Sequence, residues 1–150
     1  MSVLIDSPLG PLGFSVADGA VTELDWGQAG NLSEGALADQ LRTELGEYFA
    51  GQRTDFTVPV NAGGSAFQQR FYEALCAIPF GETRTYGDLA KELEAPAQAI
   101  GQACGGNPIA ILIPCHRVLG ADNLGGYSGI GGVETKVALL KLEGAAGLLI

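Results

Sequence analysis

The chain has 150 residues, 47% apolar and 17% charged, the balance of a globular protein and not of a disordered segment. No apolar run reaches the ~18 residues of a membrane span, and MSVLIDSPLG lacks the basic flank and long apolar region of a secretory signal. The net charge of −9 falls mostly on residues 1–64, with two basic side chains against nine acidic, while residues 65–150 carry six against eight; generic polyanion binding is therefore disfavoured.

In chain order, residues 12–26 alternate around Asp18-Gly19, a dipeptide that supplies the positive φ angles of a tight hairpin turn. Leu37, Leu41, Leu45 and Tyr48 then share one helical stripe, with Ser33 as a cap and Gly51 as a stop. Phe56, Val58 and Val60 at period two predict another strand. VNAGGS breaks that pattern and places a lobe boundary near residues 61–65, giving one lobe at 1–64 and a second at 65–150. The second lobe reads as helical. Phe67, Phe71, Leu75 and Ile78 share a face; TYGDLAKELE is a short helix capped by Thr85; APAQAIGQACGG opens on Pro96 as its first helical residue. Two short helices joined by a tight turn form a helix-turn-helix shape, which serves either to present the second helix to DNA or simply to pack. IAILIP, the pair Cys115-His116, a glycine-rich loop GADNLGGYSGIGG and an amphipathic helix in VETKVALLKLEG complete the chain.

His116 is the sole histidine and adjoins one of three cysteines. The odd, unpatterned cysteine count fits a reducing cytosol better than a disulfide framework. Cys76, Cys104, Cys115 and His116 lack the paired, closely spaced ligands of a structural zinc site. A cysteine hydrolase needs a base that reaches the sulfur and a third group to orient it, yet neighbours on an extended backbone point to opposite faces. A thiolate attacking an alkyl carbon asks for less: a lowered thiol pKa and a leaving group that can be protonated. The plain alternative is a buried small hydrophobe, the expectation for Cys76 and Cys104 in their helices.

The blocks SPLGPLGFSVADGAVTELDW, LRTELGEYFAGQRTDFTVPV, FQQRFYEALCAIPFGETRTYGDLA, NPIAILIPCHRVLG and TKVALLKLEG stand in this order. Together they resemble the methylated-DNA–protein-cysteine methyltransferases (O6-alkylguanine-DNA alkyltransferases) over nearly the whole chain. The resemblance implies an α/β (α+β) fold: a small mixed first lobe of sheet plus helix, then a mainly helical lobe with a winged-helix-like helix-turn-helix. It implies DNA repair by direct reversal, an irreversible one-turnover transfer from O6-alkylguanine in double-stranded DNA, with the base flipped out through the minor groove. Cys115 would accept the alkyl group, activated through water by His116 and Glu143, with Asn107 bracing the turn. Tyr86 would push the nucleotide out and help protonate the leaving guanine. Val118, Tyr127 and Ser128 would line the base pocket, and Tyr86, Gln98, Ala99, Gly101 and Arg117 would face DNA. The family uses no cofactor and its catalytic lobe no metal, and residues 1–64 contain no Cys or His for a zinc site. A cytoplasmic monomer with no membrane partner is expected.

Two features depart from the family's pattern. Gln98 stands where an arginine usually fills the space of the flipped base, and the helix bears no basic residue from Gln98 to Gly106. SGIGGVETK is two residues longer than the common form of this loop. The alternative is a lesion-binding or signalling protein that keeps the fold and transfers alkyl groups poorly.

Overall fold

The residues flanking Asp18-Gly19 fold as the expected hairpin, β1 (Leu12–Ala17) antiparallel to β2 (Ala20–Trp26). Asp18 and Gly19 adopt φ of 51° and 78°, the left-handed pair that such a turn requires. Leu12, Phe14, Val21, Leu24 and Trp26 point into the core. The computed structural model describes residues 5, 7–26, 35–120 and 133–145.

Helix α1 (Ala36–Phe49) buries Leu41, Leu45 and Tyr48 of the predicted stripe, with Leu37 half-buried. It ends as foreseen, with Gly51 at φ 77°. Gly35 stands at the N-cap position without a side-chain cap bond, and Ser33 lies outside the described residues. Glu44 is the exception on the buried face. Its carboxylate accepts Thr57 N at 2.8 Å, Val58 N at 3.3 Å and the Thr57 hydroxyl.

That carboxylate explains why the strand expected over Phe56, Val58 and Val60 is absent. Backbone donors there are taken by Glu44 instead of a ladder, and Pro59 has no donor to give. Only an isolated bridge joins Val60 to Val21, and Val60 stays exposed while Val58 is buried.

Helix α2 (Ala66–Cys76) opens on a capping box between Ser65 and Gln68, a device worth about 1 kcal/mol. Phe71, Leu75 and Ile78 bury as predicted, with Phe67 half-buried. Strand β3 (Arg84–Thr85) leads into α3 (Tyr86–Leu93), where Thr85 caps as expected and forms a second box with Asp88. A left-handed Glu94 (φ 53°) turns the chain into α4 (Ala97–Gly105). Pro96 sits at the N-cap of α4, one position before its predicted place, with ψ 146° still extended. A two-residue strand β4 (Val118–Leu119) pairs parallel with β3, and α5 (Val133–Leu142) follows.

The mixed α/β architecture expected from the sequence is present. Its two parts share one continuous core, from Leu12 and Phe14 through Leu41 and Leu45 to Phe71, Ile109 and Val118. Strand β2 also bonds directly to the segment before Cys115: Leu24 N donates to Pro108 O at 3.0 Å, and Ala110 N to Leu24 O at 2.9 Å. No helix among the described residues is long and apolar enough to cross a membrane.

Candidate active site

Asn107 builds the turn that carries the thiol. Its Nδ2 donates to Ile113 O at 2.8 Å while its Oδ1 accepts Ile109 N at 3.0 Å, so one amide spans both ends of the segment. Within that span Ile111 adopts φ 69°, a left-handed conformation costly for a β-branched residue and characteristic of over-determined functional sites. Cys115 N donates to Ile113 O at 2.8 Å and Arg117 N to Pro114 O at 3.0 Å, closing a 3₁₀ turn over Cys115–Arg117. The backbone at the Cys-His pair is thus helical and not extended, and the opposite-face argument does not apply there.

The three residues of this turn are all buried. His116 Nε2 meets Glu143 Oε2 at 2.8 Å. Arg117 Nε donates to Glu143 Oε1 at 2.8 Å, its Nη2 to Oε2 at 3.0 Å and its Nη1 to Ile78 O at 2.7 Å. Tyr48 of α1 donates its hydroxyl to Oε2 at 2.6 Å. Burial alone would raise the Glu143 carboxyl, but the bonds from His116, Arg117 and Tyr48 bring it down to about 2. The carboxylate is therefore ionised, can only accept, and requires a proton on His116 Nε2. Burial pushes the imidazole pKa down, so the ring is neutral and Nδ1 bears its lone pair. Among the described residues Nδ1 has no hydrogen-bond partner.

Burial also raises the Cys115 thiol, against the lowering influence of Asn107 and of the Lys136 charge. The thiol rests protonated, and the imidazole of the next residue is neutral with an acceptor to offer. Val118 is fully buried, and its carbonyl accepts Lys136 Nζ at 2.6 Å. The Lys136 ammonium also lies 5.9 Å from the Tyr86 ring centroid. Tyr86 begins α3 and is drawn beside this turn by the pairing of Thr85 with Leu119.

Three placements differ from expectation. Arg117, expected among the DNA contacts, is 7% exposed with its guanidinium committed to Glu143 and Ile78. It belongs to the interior of the site, because a buried carboxylate needs a buried cation. Cys76 is exposed at the end of α2 and Cys104 half-buried, so neither is an ordinary core cysteine. Gln98 and Gly101 are exposed on α4 and Ala99 half-buried, while Tyr127 and Ser128, like most of the longer loop, lie outside the described residues. Among the described residues no group of three or more His, Cys, Asp or Glu side chains could hold a metal.

Sequence reading missed Tyr48 and Lys136. A tyrosine on an apolar stripe needs a partner for its hydroxyl once buried, and that signal was present. Lys136, Leu139, Leu140 and Glu143 stand at i, i+3, i+4 and i+7, one face of a helix, which marks both charged residues as inward-facing.

Comparison with known proteins covers most of the chain. A family model described as 6-O-methylguanine DNA methyltransferase, ribonuclease-like domain, matches residues 2–62, and the corresponding DNA binding domain matches residues 66–145. A methylated-DNA–protein-cysteine methyltransferase of Mycobacterium leprae is 42% identical, aligned over 93% of this chain and 89% of its own. The crystal structure of Mycobacterium tuberculosis OGT in complex with DNA superposes with a TM-score of 0.84 at 45% identity, covering 94% of this chain and 91% of that one. The Mycobacterium tuberculosis O6-methylguanine methyltransferase structure gives a TM-score of 0.83 at 42% identity, covering 98% and 94%. With both family domains matched in order and relatives similar over nearly their full length, the chain belongs to the methylated-DNA–protein-cysteine methyltransferase family.

Proposed function

We propose that the protein repairs alkylated DNA by direct reversal, moving a methyl or larger alkyl group from guanine O6 to Cys115 in one irreversible turnover. The observation that carries this reading is the buried Cys115-His116 turn, whose imidazole is held by ionised Glu143 with Nε2 protonated. In the reaction the thiol proton passes to His116 Nδ1, directly or through a water. The thiolate sulfur attacks the alkyl carbon, and the S–C bond forms as the O6–C bond breaks. The electron pair goes to guanine, which takes a proton from the Tyr86 hydroxyl; Tyr86 regains one from solvent, and His116 returns the thiol proton to solvent. The products are a thioether and an unmodified guanine.

Asn107 braces the acceptor turn, and the backbones of Cys115 and Val118, with Tyr127 and Ser128, receive the flipped base. Solution of a relative in complex with DNA supports DNA as the partner. Helices α3 and α4 would enter the minor groove with Gln98, Ala99 and Gly101 outermost. The protein would act as a cytoplasmic monomer.

The test is intact mass after incubation with a duplex carrying O6-methylguanine. A stoichiometric gain of about 14 Da, absent in Cys115→Ala, is the expected result. No adduct under a large excess of lesion would overturn transfer and favour lesion binding alone.

Gln98 sets a second expectation. Unstacking a base costs a few kcal/mol, and glutamine lacks the charge and planar stacking of a guanidinium wedge. Gln98→Arg is expected to speed transfer from duplex DNA more than transfer from free benzylguanine. Equal acceleration of both would show that base flipping does not limit the rate.

A further inference from the structure

Tyr48 reaches from the first lobe to the carboxylate that orients the histidine. It lies in the last turn of α1, is 1% exposed, and bonds to Glu143 across 95 positions of sequence. We propose that Tyr48 is a positioning residue for alkyl transfer: its hydroxyl fixes the Glu143 carboxylate against His116 and tempers its pull on the imidazole. This rests on the transfer reading above and extends the acceptor site into the N-terminal lobe.

A carboxylate offers about four acceptor directions. Glu143 accepts four bonds, from Tyr48, His116 and Arg117 at Oε2 and from Arg117 again at Oε1, so its orientation is over-determined. Each donor also withdraws charge. A carboxylate left with His116 and fewer donors would stabilise the imidazolium, and an imidazolium cannot accept the thiol proton. Among the described residues the charged and titratable groups acting on this pair are Tyr48 from α1, Arg117 from the turn and Lys136 from α5. Burial, Arg117 and Lys136 already oppose protonation of His116, and the Tyr48 hydroxyl acts in the same direction through Glu143.

The aromatic surroundings hold the hydroxyl in place. The Tyr48 ring meets Phe80 edge-on at 6.2 Å and 87°, and Phe80 in turn lies 5.9 Å from the Arg117 guanidinium. Phe49 and Phe56 pack at 5.2 Å and 5.4 Å. Phenylalanine would fill this space equally well; the carboxylate contact calls for the oxygen.

Tyr48→Phe removes that oxygen and keeps the ring. Because the chain has a single histidine, the ring nitrogens of His116 give unambiguous NMR signals. In Tyr48→Phe, His116 is expected to protonate at a higher pH than in the wild type, and the acid limb of the rate profile to move with it. Single-turnover transfer at saturating lesion should fall about tenfold with DNA affinity unchanged. In a Glu143→Gln background Tyr48→Phe should add no further loss, since the group it acts through is gone. Phe56→Leu, which trims the packing around Tyr48 without touching the carboxylate, should lower the melting temperature and leave the His116 titration in place. A wild-type titration and rate in Tyr48→Phe would overturn the proposal. So would an undiminished loss in the Glu143→Gln background, or an equal titration shift in Phe56→Leu. The NMR readout needs no turnover, so a wild-type protein that failed to transfer would count against the reaction and leave this test readable.

Discussion

Arg117→Ala is expected to cost about 3–5 kcal/mol of unfolding free energy, the penalty for removing one partner of a buried ion pair. Three bonds vanish together: two to Glu143 and one to Ile78 O. The carboxylate would remain in the interior with only His116 and Tyr48 as donors, and the Ile78 carbonyl would lose its Nη1 donor. For a chain of this length the midpoint of thermal unfolding should drop by roughly 8–15 °C. Urea titration of both proteins measures the difference, provided the slopes agree. A loss below about 1 kcal/mol, the range of exposed pairs, would show that Arg117 lives at the surface after all.

Acid is expected to unfold the protein in large part through Glu143. Its carboxyl is held at about 2 against an ordinary 4.5, so the folded state binds fewer protons than the unfolded chain between those values. The stabilisation is complete above about pH 4.5 and fades as pH falls towards 2, amounting to about 3 kcal/mol at neutral pH. Glu143→Gln removes the titrating group. Its stability should start lower, because Arg117 keeps an uncompensated charge, and should decline less steeply through the acid range. Transfer should slow by about 100-fold, since His116 loses the anion that sets its tautomer. Parallel acid curves for the two proteins would assign the acid response to other carboxylates.

How far such chemistry was legible in the sequence depended on whether a residue's partners were local. The hairpin at Asp18-Gly19 and the caps at Thr85 and Gly51 were readable because turn and capping rules act over three or four residues. The segment Phe56–Val60 misled for the opposite reason. Its alternation was real, but Glu44, on another element, had claimed the backbone donors. In the candidate site, Cys115, His116 and Glu143 came from the motif and its family resemblance, and the structure brings the last two together. Arg117 was misplaced because an arginine in a DNA-binding family suggests phosphate, whereas the buried carboxylate 26 positions away decides its place. The contribution of Tyr48 spans both lobes, and no short-range pattern encodes that contact.

The smallest element of secondary structure sets the mechanical tolerance of the reaction. Arg84 and Thr85 pair with Val118 and Leu119, so the residues leading into α3 and those leaving the acceptor turn stand one strand spacing apart, about 4.8 Å. The ladder ties the segment that enters α3 to the residues that follow the Cys115–Arg117 turn, 34 positions along the chain. A rotation of α3 would pass to the end of this turn through two backbone pairings. An attacking atom must arrive within roughly half an ångström of its line, and under the function proposed above this short ladder would turn the seating of α3 on DNA into the aim of a thiol.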